Sequence, residues 1–172
     1  PYSTQEVEAL RHMLADIGSD DSIAFVVHDG DIKSGGEPCD DARFAARRED
    51  FDNSIHPFVL VPGDNEWTDC HRDSNGRYDP LERLAALRRL FFADDASLGR
   101  RRLALTRQGA LQPRFAQYRE NARWEFDEVL FVTVNVPGSN NNWKGRGDNR
   151  EFHERLAANT AWIAAAFERA RS

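Results

Sequence analysis

Two short apolar runs end in the same dipeptide, and that repetition limits the folds open to this chain. Ile23-Ala24-Phe25-Val26-Val27 leads into His28-Asp29-Gly30-Asp31, and Phe58-Val59-Leu60-Val61 leads into Pro62-Gly63-Asp64-Asn65-Glu66. Neither run alternates with polar residues. A continuous apolar run of this length reads as a strand buried on both faces, the pattern of parallel sheets covered by helices. In an open α/β sheet, ligands gather beyond the carboxyl ends of the strands. Asp31 and Asp64 are therefore expected at one edge of one sheet. Their separation of 33 residues (64 − 31) leaves room for the crossover helix that parallel neighbours require.

Helical signals fill the intervals. Ser3, with Glu6 three residues on, has the spacing of a capping box, and Val7, Leu10, Leu14 and Ile17 follow at helical spacing. Residues 41–52 read as a charged helix with Phe44 and Phe51 inward. Asp79, Pro80 and Glu82 mark another helix start, and Leu81, Leu84, Leu87 and Phe91 line one face of it. Residues 94–114 read as a basic, irregular excursion. Ala122, Trp124 and Phe126 alternate with Arg123 and Glu125, a strand that Asp127-Glu128 turns into Val129–Asn135. A polar loop over 137–149 leads to a last helix that starts near Asp148 and presents Phe152, Leu156, Ile163 and Phe167. The order of elements predicts an α/β layered sandwich with a mixed, largely parallel central sheet. We read 1–172 as a single domain. The start at Pro1 and a pattern still helical at residue 172 further lead us to expect a piece of a larger domain.

Charge and hydropathy exclude two partner classes. With 23 basic and 29 acidic residues the chain carries −6, which argues against nucleic acid as a primary partner. No stretch approaches the 18 or so apolar residues of a membrane span, so no membrane partner is expected.

Two carboxylates brought to one sheet edge repel each other unless a cation or a shared proton offsets them. A hard divalent metal is the simplest partner. The plainer reading is that each aspartate caps a turn. The two strand-end motifs together, Phe25–Asp31 and Val59–Glu66, resemble the calcineurin-like metallophosphoesterase family. That family carries Asp-x-His on a first strand, Gly-Asp on a second, Gly-Asn-His-Glu or Gly-Asn-His-Asp on a third, and two later histidine motifs. The resemblance spans nearly the whole chain as the front part of such a domain. It implies hydrolysis of a small phosphomonoester or phosphodiester by a hydroxide activated by two divalent metals (Mn, Fe, Zn or Mg). Asp31 falls on the metal-bridging carboxylate and Asp64 on the family's asparagine ligand. Asn65 falls on the histidine that assists the leaving group. An asparagine cannot serve there as an acid, so His71, six residues on, is the candidate for that role. In a register shifted by one, Asn65 itself is the ligand; the sequence leaves both open. No Asp-x-His strand stands ahead of the Gly30-Asp31 motif and no later histidine motif follows Glu66, so about half of the ligand set is expected outside the chain. A second reading is a binding or interaction module on the same scaffold with the catalytic set lost.

Other residues add detail. Cys39 and Cys70 follow the two Gly-Asp motifs by 8 and 6 residues (39 − 31, 70 − 64), so their loops leave one sheet edge together. They form either a disulfide, which points to a periplasmic or secreted location, or two free thiols, which fit the cytoplasm. Lys33 is a candidate contact for a substrate phosphate, or else pairs with Asp29 or Asp64. Asn141, in the Asn140–Asn142 cluster, is a second substrate-binding candidate, or else serves only as a turn. His28 is read as a hydrogen-bonding residue. Trp67 and Trp143 are core or loop anchors, or the walls of a pocket.

Overall fold

The structure is a computed structural model that describes residues 4–171. Ser3, the expected cap of the first helix, lies outside the described residues. Helix α1 (Thr4–Gly18) turns Leu10 and Leu14 into the core. Strand β1 (Val26–His28) follows, then helix α2 (Asp41–Asp52). The carboxylate of Asp40 caps α2 by accepting from the Arg43 N–H at 2.8 Å. Phe44 and Phe51 are buried on its inner face. Strand β2 (Phe58–Leu60) runs parallel to β1, with Val26 opposite Phe58 and His28 opposite Leu60. Helix α2 is thus the crossover between them. Helix α3 (Pro80–Phe91) starts at the Asp79 cap and buries Leu84, Leu87 and Phe91. Leu81, on its first turn, is 50% exposed and stays off the core face.

The excursion after α3 is more ordered than its sequence implies. Leu98 exchanges two backbone hydrogen bonds with Phe58, at 2.9 and 2.8 Å, and so pairs with the outer edge of β2. Strands β3 (Thr106–Arg107), β4 (Ala122–Phe126) and β5 (Val129–Val132) form an antiparallel sheet. Asp127 and Glu128 turn β4 into β5 with φ of 48° and 65°, both left-handed, as a tight two-residue hairpin requires.

The fold is mixed α and β, but the strands make two small ladders instead of one largely parallel sheet. Among the described residues β1 pairs only with β2, and the hairpin meets that pair through side chains. The Phe25 ring packs edge-on against Trp124, Phe126 and Phe131, with centroids 5.4, 5.7 and 5.0 Å away. β2 is buried along its whole length, as its apolar run predicts, whereas Val27 of β1 is 49% exposed.

The C-terminal helix (Arg150–Ala170) corrects an expectation. Its inward face is Arg155, Ala158, Asn159, Trp162 and Ala166, while Leu156, Ile163 and Phe167 are exposed. The reason is a polar seam. Trp162 Nε1 donates to the Ala122 carbonyl at 3.3 Å, and Asn159 Nδ2 donates to the Asn135 carbonyl at 2.8 Å. Gln108 Nε2 donates to the Ala158 carbonyl at 2.8 Å. Buried polar groups left unpaired are costly, so these bonds fix the helix's rotation and override its apolar stripe. No described helix is long and apolar enough to cross a membrane.

Candidate metal centre at the ends of two parallel strands

The chain leaves β1 and β2 through turns that touch backbone to backbone. Gly30 has φ +99°, and a Cβ there would lie 2.1 Å from the Gly63 nitrogen. A Cβ on Gly63 would lie 2.4 Å from Asp31 Oδ1 and 2.5 Å from the Asp31 nitrogen. Only glycine admits this approach, and it carries Asp31, itself left-handed at φ 56°, against the start of the second turn. There Asp31 Oδ1 accepts the Asn65 N–H at 3.3 Å. The Asp31 carboxyl is raised above its ordinary pKa, first by burial and then by the facing Asp64 carboxyl, against the opposing pull of the Asn65 N–H. Among the described residues neither Asp31 nor Asp64 forms an ion pair with a lysine or arginine.

A third segment closes over Asp64. The Ser139 hydroxyl lies 2.8 Å from Asp64 Oδ2 and 2.9 Å from Asp69 Oδ1. One hydroxyl proton serves two carboxylates, so Asp64 and Asp69 meet at this point. Arg72 offsets Asp69 at 2.7 Å. The backbone that delivers Ser139 is strained. Ser139, Asn140, Asn141 and Asn142 are all left-handed, with φ of 49°, 58°, 54° and 57°. Left-handed geometry costs an L-residue about 1–2 kcal/mol, least for asparagine. The wholly buried Arg155 holds the run in place. Its guanidinium donates to Asn141 Oδ1 at 2.6 Å, to the Asn141 carbonyl at 2.9 Å and to the Asn135 carbonyl at 3.0 Å. It pairs with Glu151 at 2.6 Å and lies 5.5 Å from the centre of the buried Trp67 ring.

The remaining candidates fall into two groups. Lys33 is fully buried and donates to Asn75 Oδ1 at 2.7 Å and to the Ser34 carbonyl at 2.9 Å, so its ammonium is engaged inside the protein. Burial lowers its pKa to about 8. Asn65 is buried and its Nδ2 donates to the Lys33 carbonyl at 3.2 Å, so its peptide N–H, not its side chain, reaches Asp31. Asn141 is spent on Arg155. Glu66 is buried under the second turn, where Oε1 accepts the Gly63 N–H at 2.7 Å and burial pushes its pKa up to about 7. His71 is exposed, and its Nδ1 sits 2.8 Å from the Thr68 carbonyl, the donor side of the ring. His28 accepts the Gly30 N–H at 3.2 Å and holds the first turn. Cys39 and Cys70 are joined in a disulfide with Cα atoms 5.7 Å apart, both residues buried, tying the loop after β1 to the loop after β2.

No family model, curated protein or solved structure matches the chain. Among the described residues no group of three or more histidine, cysteine, aspartate or glutamate side chains is arranged to hold a metal. Asp31 and Asp64 by themselves offer two carboxylates that no lysine or arginine among the described residues pairs with. Ser139, Asp69 and Arg155 carry no signal in the sequence. Ser139 and Asp69 are 70 residues apart, and Arg155 reaches the left-handed run that carries Ser139 only through Asn141.

Proposed function

We propose that this chain carries part of the active site of a metal-dependent phosphoesterase, with the layered sandwich architecture of the calcineurin-like metallophosphoesterases. Its substrate is a small phosphomonoester or phosphodiester. The observation that carries the reading is the facing Asp31 and Asp64 carboxyls at the ends of parallel β1 and β2, with no lysine or arginine among the described residues paired to either. In this reading Asp31 and Asp64 belong to a larger ligand set for two divalent cations (Mn, Fe, Zn or Mg). When bound, the cations supply a water ionised at neutral pH and offset charge on the phosphoryl group. The chain's own groups do the positioning. The Asn65 N–H orients Asp31, and the Ser139 hydroxyl orients Asp64. His71, fixed through Nδ1 to the Thr68 carbonyl, turns its other nitrogen to the leaving-group oxygen and gives it a proton. The Cys39–Cys70 bridge favours a periplasmic or secreted location over the cytoplasm.

The test uses the full-length protein carrying this sequence, stripped with chelator and reloaded with Mn²⁺, on 4-nitrophenyl phosphate and bis(4-nitrophenyl) phosphate. Asp31→Ala is expected to lose metal and to lose turnover by roughly 100-fold or more, beyond the cost of losing an outer partner of a metal site. If Asp31→Ala keeps both its metal content and its rate, the reading is wrong and a non-catalytic binding module replaces it.

A further inference from the structure

Beside the two aspartates opens a cleft of about 510 Å³ that shares Ser139 and Asp69 with them. Its other walls include His71, Arg72, Trp143 and Lys144. That volume suits a small organic ligand. Trp143 differs from the other tryptophans. Trp67 and Trp162 are 0% exposed and Trp124 is 5%, whereas Trp143 is 39% exposed. Its indole is set by T-shaped contacts with Phe152 and His153, centroids 5.1 and 5.6 Å away. A large aromatic held rigidly by other rings yet left open to a cleft is a stacking platform. Its neighbours are cationic. Arg72 is half-exposed beyond its pair with Asp69. Lys144 also lines the cleft, and its ammonium makes no salt bridge among the described residues.

We infer that this cleft binds the nucleoside part of a nucleotide. The base stacks on Trp143, and the phosphate points to the Asp64–Ser139 edge with Arg72 and Lys144 flanking its charge. The inference rests on the phosphoesterase reading for what happens at the aspartates, and it names the substrate class of that site. A carboxylate-lined edge alone repels phosphate, and the two cationic side chains supply the attraction on the cleft side. Base stacking on an aromatic residue is worth about 1–3 kcal/mol, which is about tenfold in affinity near the lower half of that range.

The experiment titrates the full-length protein with adenosine 5′-monophosphate and with ribose 5-phosphate in Mg²⁺. Binding is followed by tryptophan fluorescence and by calorimetry. The monophosphate is expected to quench saturably and to bind about tenfold tighter than the base-free sugar phosphate. Trp143→Ala is expected to lose the quench and that tenfold preference, and Lys144→Ala to weaken both ligands severalfold. Equal affinities for the two ligands in the unmodified protein overturn the inference. So does unchanged nucleotide affinity in folded Trp143→Ala. Should Trp143→Ala not fold, unchanged affinity in Lys144→Ala, an exposed substitution, overturns it. Hydrolysis of nitrophenyl esters without base-dependent binding sinks the cleft and leaves the phosphoesterase reading standing. Base-dependent binding through Trp143 with no Mn²⁺-dependent hydrolysis of any ester sinks the phosphoesterase reading and leaves the cleft.

Discussion

Replacing Gly30 with alanine tests the backbone contact on which the whole strand-end arrangement depends. Two costs arise there. The first is conformational, because φ at Gly30 is +99°, where a side chain is strained whatever the surrounding space; such strain is about 2 kcal/mol. The second is steric. The new methyl would lie 2.1 Å from the Gly63 nitrogen and 2.4 Å from the Gly63 Cα. Non-bonded heavy atoms sit near 3.5 Å, so the second turn must retreat by about 1.4 Å, and forced overpacking adds about 2 kcal/mol. The sum, about 4 kcal/mol, is a large share of the roughly 5–15 kcal/mol that holds a domain together. With a urea slope of about 2 kcal/mol/M, the unfolding midpoint should fall by about 2 M at unchanged slope. Gly36→Ala is the internal control, because a Cβ there meets nothing within 4 Å. That change should leave stability level or raise it by up to about 1 kcal/mol. Indistinguishable midpoints for Gly30→Ala and Gly36→Ala would refute the claim that the two turns touch through their glycines.

Removing the bridge with Cys39→Ala and Cys70→Ala together frees a loop of 31 residues and should cost about 3–4 kcal/mol, read as a lower urea midpoint. Two titratable thiols in the native protein, counted under denaturing, non-reducing conditions, contradict the bridge itself. His28 gives a pH signature. Burial, the largest cause, lowers its pKa against the pull of Asp29, so the fold prefers the neutral ring. The unfolded chain, with an ordinary value near 6.5, takes up the proton first as pH falls, so this contribution to stability is present above about pH 6.5 and is lost below it. The stability difference between pH 8 and pH 5.5 should shrink in His28→Phe; an unchanged difference means the ring does not titrate as its burial implies.

The legible parts of the fold are those with local causes. Asp79 caps its helix because a short carboxylate reaches the third N–H of the turn, a three-residue rule visible in any sequence. The β2 run is apolar throughout because it is covered on both faces. The face of the C-terminal helix was misread because hydrophobic periodicity cannot register hydrogen bonds. Arg155 and Asn159 look like surface residues until Asn135 supplies carbonyls for both. The division into two ladders is equally hidden, since pairing partners are set by tertiary placement and not by the strands' own residues. For the same reason Ser139 and Arg155 could not be found in advance, whereas Asp31 and Asp64 could, because each follows a strand directly.

The choice between Asp64 and Asn65, open in the sequence, has a structural cause. The chain starts to coil at Asp64, whose carbonyl accepts the N–H groups of Trp67 and Asp69 at 3.2 and 3.1 Å. At this turn the neighbouring side chains point apart, the Asn65 amide to the Lys33 carbonyl and the Asp64 carboxyl to Ser139. What fixes the rotation lies inside. Trp67 is fully buried, and both disulfide sulfurs pack 3.6 and 3.7 Å from the Asn65 carbonyl oxygen. With that peptide pinned, the Asn65 amide turns to the Lys33 carbonyl and the Asp64 carboxyl turns out to Asp31 and Ser139. The two cysteines therefore do more than tie two loops together. Both sulfurs pack against the Asn65 carbonyl on the inner side of the turn that presents Asp64 to Asp31 and Ser139.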